Sequence, residues 1–219
     1  MMDISGIIAD LKQLGNPDKV KGRAKFGIPE ENSLGVTMPQ LRQYAKKFGR
    51  SKELTDALWQ SPIHEAKILA TILAEPKSFP IQKADAWMKD LYSWDICDQF
   101  CINVLVKTSY VLELPERWSV EQGEFQKRAP MALIAVIAVH RKELKDEQLL
   151  VYKPLLFNAA TDPRNFVKKA VNWAIRQIGK RNNNLCQEMI LFCEKLLELG
   201  DKSANWIAKD AIRELKTKS

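Results

Sequence analysis

Within the stretch LYSWDICDQF, Trp94 and Asp98 stand four residues apart, so a helix sets an indole face and a carboxylate on one side, one turn from each other. Asp98 is flanked by Ile96, Cys97 and Phe100, and an unpaired carboxylate among apolar neighbours is expensive to keep. Ser93 and Asp95 need no such account. The Ser93 hydroxyl can cap a helix N-terminus, and an acid in the first turn suits the helix dipole. Further along, Arg128 lies in FQKRAPMALIAVI near the start of a long apolar helix. Trp173 and Arg176 share a face in VKKAVNWAIRQIGK. Each residue also has a plainer reading. A Trp in an amphipathic helix packs a core, an Arg pairs with a nearby acid, and Asp98 with Arg128 can form an internal salt bridge.

Elimination narrows the chemistry. The two His, His64 and His140, each fall alone in apolar helical segments, where a structural role is the ordinary one. The sequence has no GxSxG, no Walker loop, no GxGxxG and no HExxH, which argues against a serine hydrolase, a P-loop NTPase, a dinucleotide-dependent oxidoreductase and a zincin. Cys97 and Cys101, and Cys186 and Cys193, could share helix faces pairwise, but their spacing is wider than structural zinc sites favour. They read as buried free thiols, with no metal and no cofactor expected. Any catalysis must then run on carboxylate, guanidinium and aromatic groups.

The elements that carry these groups are helices throughout. Helical period covers the segments from Ile4–Leu14 to Ala204–Leu215, including Lys52–Gln60, Trp94–Thr108, Tyr110–Trp118, Phe125–Arg141, Glu147–Ala160 and Pro163–Gly179, and no segment alternates as a strand would. Asn16 reads as a cap, Pro39 as a first helical residue, Asp162 with Pro163 as a cap and start, and Gly179 as a stop. Two helices with their turns take about 35 to 45 residues, the length of a HEAT-type unit. Asp98 precedes Arg128 by 30 residues and Arg128 precedes Trp173 by 45, roughly one unit each. Stacked helical pairs make a solenoid whose inner helices line one concave surface. With no linker or low-complexity stretch, residues 1–219 read as a single domain.

Composition agrees with a folded, water-exposed chain: 46% hydrophobic residues, six Trp and a formal charge of +7. Residues 161–219 alone hold 12 Lys and Arg against 7 Asp and Glu, a bias toward polyanions or simply a solvated helical surface. No apolar run reaches the roughly 20 residues of a membrane span, and the start lacks the pattern of a signal peptide, so a cytoplasmic location is expected.

With these residues in view, the chain resembles the AlkD family of DNA alkylation repair glycosylases over nearly its whole length. LGVTMPQLRQYAKKF is similar to the family's early G-hydrophobic-x-x-P-x-x-R segment, with Pro39 and Arg42 in register. SWDICDQF resembles its W-D-x-x-D segment, which places Trp94 and Asp98 on the family's stacking Trp and catalytic Asp. FQKRAPMALI puts Arg128 on the active-site Arg, and FVKKAVNWAIRQIGK puts Trp173 on a second active-site Trp. One position departs: Phe26 stands where the family prototype has a Tyr, so a hydroxyl contact there is lost.

The resemblance implies an all-α fold, a right-handed superhelical solenoid of antiparallel HEAT-like pairs, acting as a monomer on double-stranded DNA with alkylated bases. It implies hydrolysis of the N-glycosidic bond of cationic purines such as 3-methyladenine and 7-methylguanine. Asp98 would face the sugar cation, Trp94 and Trp173 would offer π-faces to it, and Arg128 would hold a phosphate. Lys168, Lys169, Arg176, Lys180 and Arg181 would contact further backbone. The rival expectation is a non-catalytic HEAT-repeat protein that binds damaged or branched DNA.

Overall fold

The computed structural model describes residues 4–217, and these hold fourteen α-helices, two short 3₁₀ turns and no strand. They gather into two compact units, residues 1–108 and 109–219. No helix among the described residues is long and apolar enough to cross a membrane.

The first unit comprises α1 (Ile4–Leu14), α2 (Pro17–Ala24), α3 (Met38–Ala45), α4 (Lys52–Gln60), α5 (His64–Leu73), α6 (Ile81–Lys89) and α7 (Trp94–Asn103). Asn16 caps α2 as expected, its side chain accepting from the amides of Asp18 and Lys19. In α3, Thr37 closes a capping box with Gln40, which moves Pro39 to the second helical position. Helix α5 is the hub, packed against α3, α4 and α7, and it buries residues on nearly every side. An aromatic cluster steadies the neighbouring face of α7. The Trp59 and Trp87 rings stack with centroids 3.9 Å apart, and Phe100 of α7 lies 5.4 Å from Trp87. Trp59 satisfies its indole N–H on Asp90, 2.9 Å away. The expected helix to Thr108 stops at Asn103 and resumes as a 3₁₀ turn, Leu105–Lys107.

The second unit comprises α8 (Leu114–Arg117), α9 (Glu124–His140), α10 (Asp146–Leu150), α11 (Lys153–Ala159), α12 (Asn165–Gly179), α13 (Asn183–Glu198) and α14 (Lys202–Lys216). Here α12 is the hub, against α9, α11, α13 and α14. The expected helices Tyr110–Trp118 and Glu147–Ala160 are cut short or split. The cause is Pro115 and Pro154, each within the first two residues of its own helix, where the missing amide costs least. Helix α12 ends at Gly179, as expected, and a Cβ there would come 2.7 Å from the Leu215 side chain, so glycine also lets α14 approach.

Asp162 does not cap α12, which starts two residues later than expected, with Arg164 in the cap position. Its carboxylate instead receives the Arg164 Nε at 2.9 Å, the Arg164 amide at 3.0 Å and the Lys127 ammonium at 3.4 Å. The Arg164 guanidinium, first among these, holds the Asp162 pKa down to about 2. A carboxylate whose folded pKa is depressed adds stability above its unfolded value, and that stability drains away as pH falls toward the folded one. Denaturant midpoints measured from pH 5 to pH 2 are therefore expected to fall less steeply for Asp162→Asn than for the native chain. Parallel curves would contradict this assignment.

Candidate functional site

In the first unit, a buried network built from α5 sets up the start of α7. Ser93 occupies the N-cap position of α7 with extended φ and ψ, yet its hydroxyl makes no cap bond. It donates to Asp95 instead. Asp95 also accepts from the Ile96 amide at 3.0 Å and from His64 Nε2 at 2.8 Å. With Nε2 donating, His64 Nδ1 accepts from the Tyr92 hydroxyl, 3.3 Å away. Burial alone would raise the Asp95 pKa, but the bonds from His64, Ser93 and the backbone outweigh it and hold the group ionised below the usual range. Burial, with the negative charges of Asp95 and Glu65, pushes the Tyr92 phenol up to about 12. His64 is thus structural, as its apolar setting suggested, and Asp95, which the sequence offers only as a first-turn acid, is its partner.

That anchorage presents Trp94 and Asp98 one turn apart on α7, both half-buried. The Trp94 indole N–H donates to the Phe26 carbonyl at 3.0 Å, which fixes the plane of the ring. Phe26 itself is 62% exposed, so its ring and not its backbone is left for solvent. The Trp94 setting contrasts with Trp59, Trp87 and Trp118, which are 0%, 3% and 1% exposed and pack the interior.

The loop that offers the Phe26 carbonyl is tied down in large part by one acid. Glu65, wholly buried in the first turn of α5, accepts from the amides of Leu34, Gly35 and Val36 at 2.8, 2.7 and 3.2 Å, and from Arg23 Nη1 at 3.3 Å. Arg23 Nη2 in turn donates to the Val36 carbonyl at 2.8 Å. Gly35 has φ +77, and a Cβ on it would come 2.2 Å from the Asn16 carbonyl oxygen. The glycine of LGVTMPQ is therefore required by the path of the chain. Nothing in the sequence marks Glu65, because an acid early in a helix reads as solvated.

In the second unit, Arg128 is 5% exposed and its Nη1 donates to the Phe166 carbonyl at 2.7 Å, joining the start of α9 to the start of α12. Lys169, Trp173, Arg176 and Lys180 fall at intervals of four, three and four residues and so share one stripe of α12. Trp173 is half-buried and Lys169 exposed. Arg176 and Lys180 both reach Glu214 of α14. Lys168 holds its ammonium 4.9 Å from the centre of the Trp206 ring. Arg181 is turned the other way. Its guanidinium donates to the carbonyls of Ala138 and Arg141 at 3.0 and 3.1 Å and to those of Lys142 and Leu144, each at 3.1 Å. It closes the C-terminal end of α9, where a cation complements unpaired carbonyls.

Neither unit gathers three His, Cys, Asp or Glu side chains as metal ligands among the described residues. All four Cys are free and buried, and burial pushes the Cys193 thiol up to about 12, the behaviour of an inert core thiol.

The sequence model of the family described as DNA alkylation repair enzyme matches residues 7–215. Among solved structures, the chain is similar to a member of a family of proteins related to the HEAT-like repeat DNA glycosylases with affinity for branched DNA structures. The identity is 17%, over 88% of this chain and 83% of that one, at a TM-score of 0.78. It is also similar to a designed armadillo repeat protein, at 17% identity over 98% and 95% of the two chains, with a TM-score of 0.43. No curated protein matches.

Proposed function

The chain belongs to the DNA alkylation repair enzyme family, and from that premise we propose that it is a DNA glycosylase that removes cationic alkylated purines from duplex DNA, residues 1–219 serving as one functional domain. The observation that carries the reading is the pairing of Trp94 and Asp98, one turn apart on α7 and half-buried, in a chain matched by the family over residues 7–215.

The chemistry asks little of a general acid. A 3-methyladenine or 7-methylguanine base already bears a positive charge, so it departs with the electron pair of the C1′–N bond as a neutral purine. The charge passes to the sugar, which takes on oxocarbenium character, and water adds to C1′ and loses a proton. Asp98 faces that cation and orients the water. Trp94 and Trp173 offer π-faces to the same charge, each contact worth about 0.5 to 2 kcal/mol. Arg128 holds a phosphate, and Lys168, Lys169, Arg176 and Lys180 add to the backbone contacts, positioning the duplex without reading its sequence. Arg181 acts mainly through the end of α9, since its donors are spent on four carbonyls. The test is release of free purine from methylated duplex without added metal, compared between the native chain and Asp98→Asn.

A second reading has a specific observation behind it. The structurally similar protein is described by its affinity for branched DNA, and this chain can be a binder of such DNA without glycosylase activity. Purine release by the native chain separates the two.

The ion pairs on α12 yield a further expectation. Glu214 neutralises part of the charge that Arg176 and Lys180 would offer a phosphate. Burial would raise its pKa, but Lys180 and Arg176 outweigh that and hold it low, so it competes as an anion at neutral pH. Glu214→Gln is expected to bind duplex more tightly and to steepen the slope of log K against log[salt] by roughly one to two, since each phosphate engaged contributes about 0.9. Half-exposed pairs of this kind contribute about 0 to 1 kcal/mol, so the fold survives. Affinity that falls or stays level in a folded variant would remove Arg176 and Lys180 from the interface.

A further inference from the structure

Helix α12 and helix α14 carry the same pattern of letters. KAVNWAIRQIGK, residues 169–180, and KSANWIAKDAIR, residues 202–213, both read Lys-x3-Trp-x2-(Arg or Lys)-x3-(Lys or Arg), with Asn before each Trp. The two copies begin 33 residues apart, about the length of one helical-pair unit. The second copy lies wholly within α14 and the first within α12 up to Lys180, its C-cap, still in right-handed helical φ and ψ, so the shared spacing puts the four side chains of each copy on one stripe.

On α14 that stripe is Lys202, Trp206, Lys209 and Arg213, and all four are exposed. The opposite side of the helix holds Ala204, Ile207, Ala208, Ala211 and Leu215 in the core. Trp206 is 40% exposed, far from the 0 to 3% of the three core indoles, and it shares its stripe with three exposed cations. Lys202 and Lys209 make no ion pair among the described residues, and Arg213 pairs only along its own helix, with Asp210. The two helices are joined directly. Lys168 lies over Trp206, Asn172 donates to the Ile207 carbonyl at 3.1 Å, and Glu214 bridges to Arg176 and Lys180.

We propose that α14 bears a second DNA-contacting stripe, in which Lys202, Lys209 and Arg213 engage phosphates and the Trp206 ring lies against a deoxyribose of the same backbone. The inference rests on the reading of α12 as a DNA-facing helix and extends the interface of the second unit by one helical pair. Three cations and an aromatic ring at this spacing suit a polyanion with apolar sugar faces between its charges. An acidic protein segment would match the cations but offers no sugar face to the Trp206 ring.

The experiment compares the native chain, Lys169→Gln, Trp206→Ala and the triple variant Lys202→Gln, Lys209→Gln, Arg213→Gln on an unmodified duplex over a range of salt. The triple variant is expected to lower the salt slope by about two to three, one cation release of about 0.9 per phosphate lost. Trp206→Ala is expected to weaken binding several-fold with the slope unchanged, because a stacking contact releases no counterions. All altered side chains are exposed, so helical circular dichroism should match the native chain in each variant. A native chain with salt-dependent binding, a weakened Lys169→Gln and an unaltered triple variant would overturn this proposal alone. A native chain without salt-dependent duplex binding would overturn the DNA reading of α12 and this stripe with it.

Discussion

Asp98→Asn is expected to bind methylated duplex at least as tightly as the native chain and to release purine about a thousandfold more slowly. Opposite unit charges about 4 Å apart near a protein surface attract by roughly 4 kcal/mol. If that attraction exists only once the sugar is cationic, its loss lowers the rate by about three orders of magnitude and leaves ground-state binding alone. The substitution is nearly isosteric, and Phe100 in the aromatic cluster and Asp95 on His64 also position α7. Removing a negative charge beside DNA also removes a repulsion. Single-turnover release and equilibrium binding, measured on the same duplex, check both halves of the expectation. Release at the native rate would end the catalytic assignment of Asp98. Absence of release from either protein, with binding intact, would favour the branched-DNA reading.

The periodicity of the sequence carried the helices well wherever their ends are set locally. Ile4–Leu14 and Lys52–Gln60 fall where expected, since an apolar stripe and nearby polar residues decide both. Misplaced boundaries trace to proline and to distant partners. Pro154 splits one expected helix, a signal present in the letters. The start of α12 was misplaced for a different reason: Asp162 has an arginine two residues on that outbids the helix amides, and the contest is decided by geometry. The site divides in the same way. Trp94 and Asp98 stand out locally because four residues make one helical turn. The hold of Glu65 on residues 34–36, and that of Glu214 on Arg176 and Lys180, join segments about 30 to 40 residues apart. Nothing in either local stretch announces its partner. The Lys-x3-Trp copy on α14 is the converse, visible in the letters yet given meaning only by the exposure of Trp206.

Glu65→Ala is expected to cost about 3 to 5 kcal/mol of stability, the range for removing one partner of a buried charge network. Its carboxylate is wholly buried and is the acceptor for three consecutive amides, those of Leu34, Gly35 and Val36. Alanine leaves those donors in a site closed to water, each at a penalty of about 1 to 3 kcal/mol, while Arg23, whose side chain is 23% exposed, regains solvent. The loop cannot simply move away, because the Leu34 carbonyl is held by the Asn16 amide at 2.8 Å. Against the roughly 5 to 15 kcal/mol that holds a typical domain, the loss is large enough to lower the denaturant midpoint plainly. It should also reach function while the chain is still folded. The same loop supplies the Phe26 carbonyl that orients the Trp94 indole, so purine release should slow in Glu65→Ala even where circular dichroism reports native helix content. A variant within about 1 kcal/mol of the native chain would mean that water reaches the three amides, and that residues 33–36 are held by something other than this acid.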